Sequence, residues 1–308
     1  MDSRPVLWIA FNLVVAALLW VDLRIFNRRA HVVSFKEAAL WSVVWIMTAL
    51  LFDVGIYYTL GSQKAVEFLT GYIIEKSLSV DNLFVFIMIF AYFGLPERIQ
   101  PKILHWGILG ALAMRFVMIF AGVALLEAFH WVIYVFGALL VYTGAKMMFE
   151  TEHKVEPGKN IVLRALKKVL PFAEHYDGES FFVKNGARWC ATPLFATLVV
   201  IEVSDLVFAV DSIPAVLAIT TDPFIVYTSN VFAILGLRAL YFLLAGTMNL
   251  FRYLKTGVAV VLCYVGVKML AVDFFKIPVS VSLAVIIGIL AVSVLASLAV
   301  RPARPSAS

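Results

Sequence analysis

The sequence predicts an all-α polytopic membrane protein of about nine transmembrane helices. Three observations carry this prediction. Of 308 residues, 63% are hydrophobic and only 15% are charged, with a mean hydropathy of +0.96. An ordinary soluble domain carries about 25% charged residues, so the surplus apolar surface here must face lipid. The apolar residues also fall in long runs, at 5–22, 38–60, 65–93, 103–126, 131–149, 194–218, 225–245, 253–272 and 279–300. A single span needs roughly 20 such residues. Finally, the basic residues segregate by side: seventeen Lys and Arg lie at one set of span ends, and Arg4, Lys64 and Lys276 at the other. The positive-inside rule then places the N-terminus outside and the C-terminus in the cytoplasm, which requires an odd number of spans. A bacterial inner membrane is the expected location.

Along the chain, residues 1–64 hold the first two helices. The run from Val6 to Val21 is followed by Arg24, Arg28 and Arg29 and lacks a small-residue cleavage site. It reads as an uncleaved helix rather than a signal peptide. Residues 65–149 form a three-helix unit and 193–272 a second one, while 273–308 hold the last helix and a cytoplasmic tail. Between the two units, 150–192 is a polar cytoplasmic loop containing Pro157, Gly158, Pro171 and Gly178. Within that loop, Ile161–Leu170 reads as a short interfacial helix with Arg164, Lys167 and Lys168 on its wet side.

The net charge of +5 does not indicate nucleic acid, because the basic residues sit in short loops between apolar runs. Cys190 and Cys263 fit neither a disulfide framework nor a zinc motif and are expected to be free.

The two three-helix units resemble each other. Tyr142, Gly144, Lys146 and Met147 match Tyr264, Gly266, Lys268 and Met269, and Arg115 matches Arg238. Upstream, Glu75, Asp81 and Asn82 match Asp205, Asp211 and Ser212. Three spans separate each residue from its counterpart, and an odd number reverses direction across the membrane. An inverted-topology repeat is therefore expected, the arrangement that places a transport site at the interface between repeats.

The chemistry is concentrated in charged residues within spans. The third helix carries Glu75, Lys76, Asp81 and Asn82, and the sixth carries Glu202, Asp205, Asp211 and Ser212. A charge at the bilayer centre costs at least about 2.5–3.5 kcal/mol. Five carboxylates therefore need compensation by cations, by a bound metal ion, or by both. Glu202 and Asp205 share a helical face, whereas Asp211 lies roughly 240° around from Asp205. One ion reaches both only if the helix unwinds or a neighbour completes the ring. Pro214 frees the Val210 carbonyl beside Asp211, which would suit such an unwound segment.

The candidate metal ligands are thus Glu75, Asp81, Asn82, Glu202, Asp205, Asp211 and Ser212, with Ser79 as a further oxygen. His31, His130, His153 and His175 lie in loops and His105 lies near an interface. Oxygen-only donors suit Mg(II), Ca(II) and Mn(II) over Zn(II) or Cu(II). Supporting charge comes from Asp53, Lys76, Arg115, Arg238, Lys146 and Lys268. Arg115 and Arg238 are placed to neutralise acids, and Lys146 and Lys268 to reach for an interface. The rival reading makes the acids structural partners of Arg115, Arg238 and Lys76, without any ion. No nucleophile with an adjacent base is visible, so an enzyme is not expected, and no cofactor is implied.

The segments Gly71–Asn82, Ile201–Pro214 and Ser229–Arg238 resemble the TerC family of integral membrane proteins, and within it the Alx-like group. The resemblance runs from the first span to Leu283. It implies manganese efflux, with links to tellurium resistance and alkaline conditions. The family motif falls on Glu75, Asp81, Asn82, Glu202, Asp205, Asp211 and Ser212.

The expectation is therefore a secondary exporter of a divalent cation, Mn(II) foremost, driven by protons or sodium, since no Walker motif is present. A Ca(II) exchanger and a non-transporting membrane assembly factor are the alternatives.

Overall fold

A computed structural model of the chain describes residues 4–26, 34–149, 170–173, 180–185, 188–245, 253–275 and 277–299. Among these are ten helices and one hairpin. The helices are α1 (Arg4–Phe26), α2 (Phe35–Leu60), α3 (Ser62–Phe93), α4 (Gln100–Ala128), α5 (Val132–Phe149), α6 (Pro193–Leu217), α7 (Pro223–Leu235), α8 (Leu237–Ala245), α9 (Leu254–Leu270) and α10 (Val279–Ala299). The proposed interfacial helix at 161–170 lies almost wholly outside the described residues, as do most of the polar loop and the C-terminal tail.

The helix ends follow the sequence. Ser34 caps α2, its Oγ accepting from the Glu37 amide at 3.3 Å. Prolines stand in the first turns of α4, α6 and α7, where a missing N–H costs nothing. Asp222 caps α7 through the Phe224 amide at 3.1 Å. Gly61 (φ 93°) separates α2 from α3, and Gly94 (φ 60°) ends α3 in the left-handed region that favours glycine. The polar loop ends in an antiparallel hairpin, β1 (Phe182–Asn185) with β2 (Arg188–Ala191), in place of the expected irregular loop.

Five helices (α2, α4, α5, α6 and α10) are long and apolar enough to cross a membrane, and α7 with α8 makes a sixth if the bent pair is one span. At 32 residues α3 is the longest helix described. The chain is an integral membrane protein built of helices, as the hydrogen-bonding demands of lipid require.

Two expectations about helix breaks are corrected. Helix α6 runs unbroken from Pro193 to Leu217 with Pro214 inside it. Pro214 cannot donate to the Val210 carbonyl, yet the helix continues three residues beyond it. The break occurs instead in the expected span 225–245, where α7 and α8 meet at Gly236 with a bend of 42°.

At the centre α3, α4, α6 and α7 pack on one another. Gly71 lets α3 approach closely, since a Cβ there would stand 2.9 Å from Ser229 Oγ and 3.1 Å from Val216 Cγ1. Helices α5 and α9 form the most intimate pair, and on them glycines face backbone. A Cβ at Gly144 would lie 2.7 Å from the Ala259 carbonyl, and one at Gly266 would lie 2.7 Å from the Gly137 carbonyl. Helix α1 lies against α7 through rings, Trp8 stacking on Tyr227 at 5.4 Å.

Candidate metal centre

The buried acids of α3 and α6 meet at Arg115 of α4. Its guanidinium is 1% exposed and forms an ion pair with Glu75, itself fully buried. It also grips Asp205 with two nitrogens, Nη2 to Oδ1 at 3.2 Å and Nε to Oδ2 at 3.4 Å. A third contact runs from Nη1 to Asn230 Oδ1 of α7 at 3.3 Å. One cation therefore holds carboxylates from two facing helices, and a fourth helix closes the cluster. A fork-shaped guanidinium suits this work, whereas an ammonium would act as a single point.

The cluster is not saturated. Glu75 Oε2 and Asn230 Nδ2 are buried without a hydrogen-bond partner. So are the hydroxyls of Ser79, one turn beyond Glu75, and Ser212, two turns beyond Asp205. Other hydroxyls in these helices bond the carbonyl one turn back: Thr70 to Val66 at 2.6 Å, Ser77 to Ile73 at 2.6 Å and Ser204 to Val200 at 2.7 Å. That local option exists for any helical serine. Ser79 and Ser212 do not take it.

Glu202 points at the same neighbour as Asp205. Its carboxylate lies where a Cβ on Gly110 of α4 would fall, so only glycine fits there. Asp211 faces elsewhere, as the helical geometry requires. It accepts from Thr143 Oγ1 of α5 at 3.0 Å and lines a cavity of about 380 Å³ together with Asn82, Thr143 and Lys146. Because α6 stays helical, Asp205 and Asp211 occupy separate faces and the predicted set divides into two stations. Among the described residues, no three His, Cys, Asp or Glu side chains stand close enough to hold a metal. Asp81 lies on α3, and its side chain is outside what is described.

The supporting charges have distinct surroundings. Lys76 Nζ donates to the Ala233 carbonyl of α7 at 3.1 Å, beside the break at Gly236. Lys268 donates to Ser282 Oγ of α10 at 2.9 Å. Lys146, exposed near the end of α5, lines the Asp211 cavity. Arg238 is buried in α8. Asp53 sits half-buried in α2, with Oδ1 lacking a partner.

A second polar cluster escaped the sequence reading. Buried Glu67 of α3 accepts from Lys64 at 2.9 Å and from Thr220 Oγ1 at 2.6 Å. Lys64 also pairs with Asp222 at 3.1 Å. In the sequence Lys64 stands out only as a charge at a span end, and Glu67 and Thr220 carry no signal. Asn230 was likewise seen only as part of a motif. Its signal was a Ser-Asn pair inside an apolar run, eight residues before Arg238.

The chain matches the integral membrane protein TerC family across residues 60–305 and belongs to that family. It is 50% identical over 296 residues to the membrane protein STKORF319 of Myxococcus xanthus, covering 96% of this chain and 93% of that one. It is 48% identical over 297 residues to Alx of Escherichia coli (strain K12), covering 94% and 92%. That relative is described as a proposed membrane-bound redox modulator. A membrane protein of Rickettsia bellii is 39% identical over 290 residues. No solved structure matches the chain.

Proposed function

We propose that the protein is a secondary active transporter that exports a divalent cation, Mn(II) foremost, through the acids between α3 and α6. The observation that carries this reading is the convergence of three acids at the centre. Glu75, Glu202 and Asp205 converge on α4 against one guanidinium, with oxygens of Glu75 and Ser79 left unbonded. Charge buried in this way is costly and marks a functional path in membrane proteins. The donors are carboxylates, amide oxygens and hydroxyls, a set suited to Mn(II), Ca(II) or Mg(II).

The reading includes nine spans, with α1, α3 and α9 crossing as well. It sets the N-terminus outside and the C-terminus in the cytoplasm of a bacterial inner membrane. It also treats α3–α5 and α6–α9 as an inverted repeat. Support comes from reciprocal packing: α3 on α7 and α4 on α6, with counterparts α5 and α9 joined through Gly144 and Gly266. Expelling a doubly charged ion against about 100 mV costs roughly 4.6 kcal/mol, so coupling to protons or sodium supplies the drive. No bond-making chemistry is needed.

Reconstituted protein should take up Mn(II) saturably into vesicles, with Ca(II) competing weakly. Rates indifferent to collapsed proton and sodium gradients would remove the coupling.

One observation favours a second reading. Arg115 bridges Glu75 and Asp205 well enough to be a brace, which suits a membrane assembly factor or the redox role given for Alx. Cys190 and Cys263 are both free. A thiol-based role predicts loss of function in Cys190→Ser or Cys263→Ser, and the transport reading predicts none.

A further inference from the structure

We propose that Arg115 is a tethered counter-cation that exchanges with the transported ion on Glu75 and Asp205. The inference rests on the transport reading. Its starting point is the double use of one pair of carboxylates. Both ion pairs at Glu75 and Asp205 are made by Arg115, which occupies one oxygen of Glu75 and both oxygens of Asp205. A metal and a guanidinium cannot hold the same lone pairs together. An ion held by both acids therefore displaces the guanidinium from Asp205.

The surroundings allow that departure. Glu202 stands one turn before Asp205 and lies against Gly110, on the same helix as Arg115. Among the described residues, no hydrogen bond or ion pair reaches Glu202. A rotation of the long Arg115 side chain toward Glu202 would keep its charge compensated while freeing Glu75 and Asp205. Donors for the incoming ion are already present, because Glu75 Oε2 and Ser79 Oγ are buried without partners.

Exchange also solves the problem of release. A site of buried carboxylates that merely attracted Mn(II) would hold it too long to transport it. A tethered cation that returns to the acids expels the ion and restores the resting charge. It lowers apparent affinity by the fraction of time the acids are occupied.

The test uses purified full-length protein and Mn(II) alone, with equilibrium dialysis for affinity and proteoliposomes for flux. Arg115→Gln removes the competitor, and Arg115→Lys keeps a charge but loses the fork that spans both acids. Both should bind Mn(II) about tenfold more tightly or better, while maximal flux falls at least as much. Arg115→Gln leaves two buried acids uncompensated, so Arg115→Lys decides the matter if the former does not fold. Equal or weaker affinity in folded Arg115→Lys overturns the proposal and leaves Arg115 a fixed brace. Wild-type protein that binds neither Mn(II) nor Ca(II) overturns the transport reading itself, and the exchange with it.

Discussion

The ammonium of Lys76 lies 3.1 Å from the carbonyl oxygen of Ala233, two residues before α7 ends at Leu235. The last carbonyls of a helix have no partner within it, and their aligned dipoles favour a cation. Lys76 supplies that cation from a neighbouring helix at the point where α7 turns into α8. Replacing it by Met should cost about 0.3–1 kcal/mol, more where the carbonyl is shut from water. Thermal unfolding in detergent measures this.

Gly236 is tied to the same contact. A Cβ there would stand 2.7 Å from Lys76 Nζ and 3.1 Å from Trp45 Cβ. The backbone at Gly236, with φ −90°, is open to any residue, so substitution acts through those neighbours. Gly236→Ala should therefore destabilise the wild type but add little to Lys76→Met. A double-mutant cycle that gives additive losses would separate the two residues.

The pairing of α5 with α9 depends on small residues. A Cβ at Gly144 would lie 2.6 Å from Cys263 Sγ and 2.7 Å from the Ala259 carbonyl. Gly144→Ala should cost about 1–3 kcal/mol as the helices are forced apart. Gly288→Ala in α10 meets nothing within 4 Å and should cost no stability.

Much of this was legible in the sequence, and what was missed has physical causes. Helix ends came through because apolar runs, prolines and glycines are local signals. The acids of α3 and α6 stood out because charge inside an apolar run is rare. The bend could not be placed the same way. Pro214 is the stronger local breaker, yet it falls in a last turn that ends anyway, whereas Gly236 works through Lys76, 160 positions away in sequence. The Lys64–Glu67–Thr220–Asp222 cluster was hidden for a related reason. Its members lie near span ends, where charge is ordinary, and only the fold brings the α6–α7 turn onto α3. Helical spacing did separate Asp205 from Asp211, and the unbroken α6 keeps them on different faces.

That cluster yields its own prediction. Glu67 is 5% exposed and accepts from Gln63, Lys64 and Thr220. Glu67→Gln weakens a buried network and should cost about 1–3 kcal/mol. Asp222→Asn, at a more exposed carboxylate that keeps its capping oxygen, should cost less. Unfolding of the two variants side by side tests the order.

Thr143 tests the second station. Its hydroxyl orients Asp211 at 3.0 Å. Partners that hold a metal-binding carboxylate are typically worth about 10–100-fold in affinity. Thr143→Val should raise the Mn(II) concentration for half-maximal flux about tenfold, and Thr143→Ser should not.

The most direct measurement is Mn(II) flux into vesicles carrying wild-type protein, Glu75→Gln or Asp211→Asn. Transport through these acids predicts saturable flux in the wild type and its loss in each folded variant. Folded wild-type protein that moves no divalent cation, or variants that transport as well as the wild type, would contradict it.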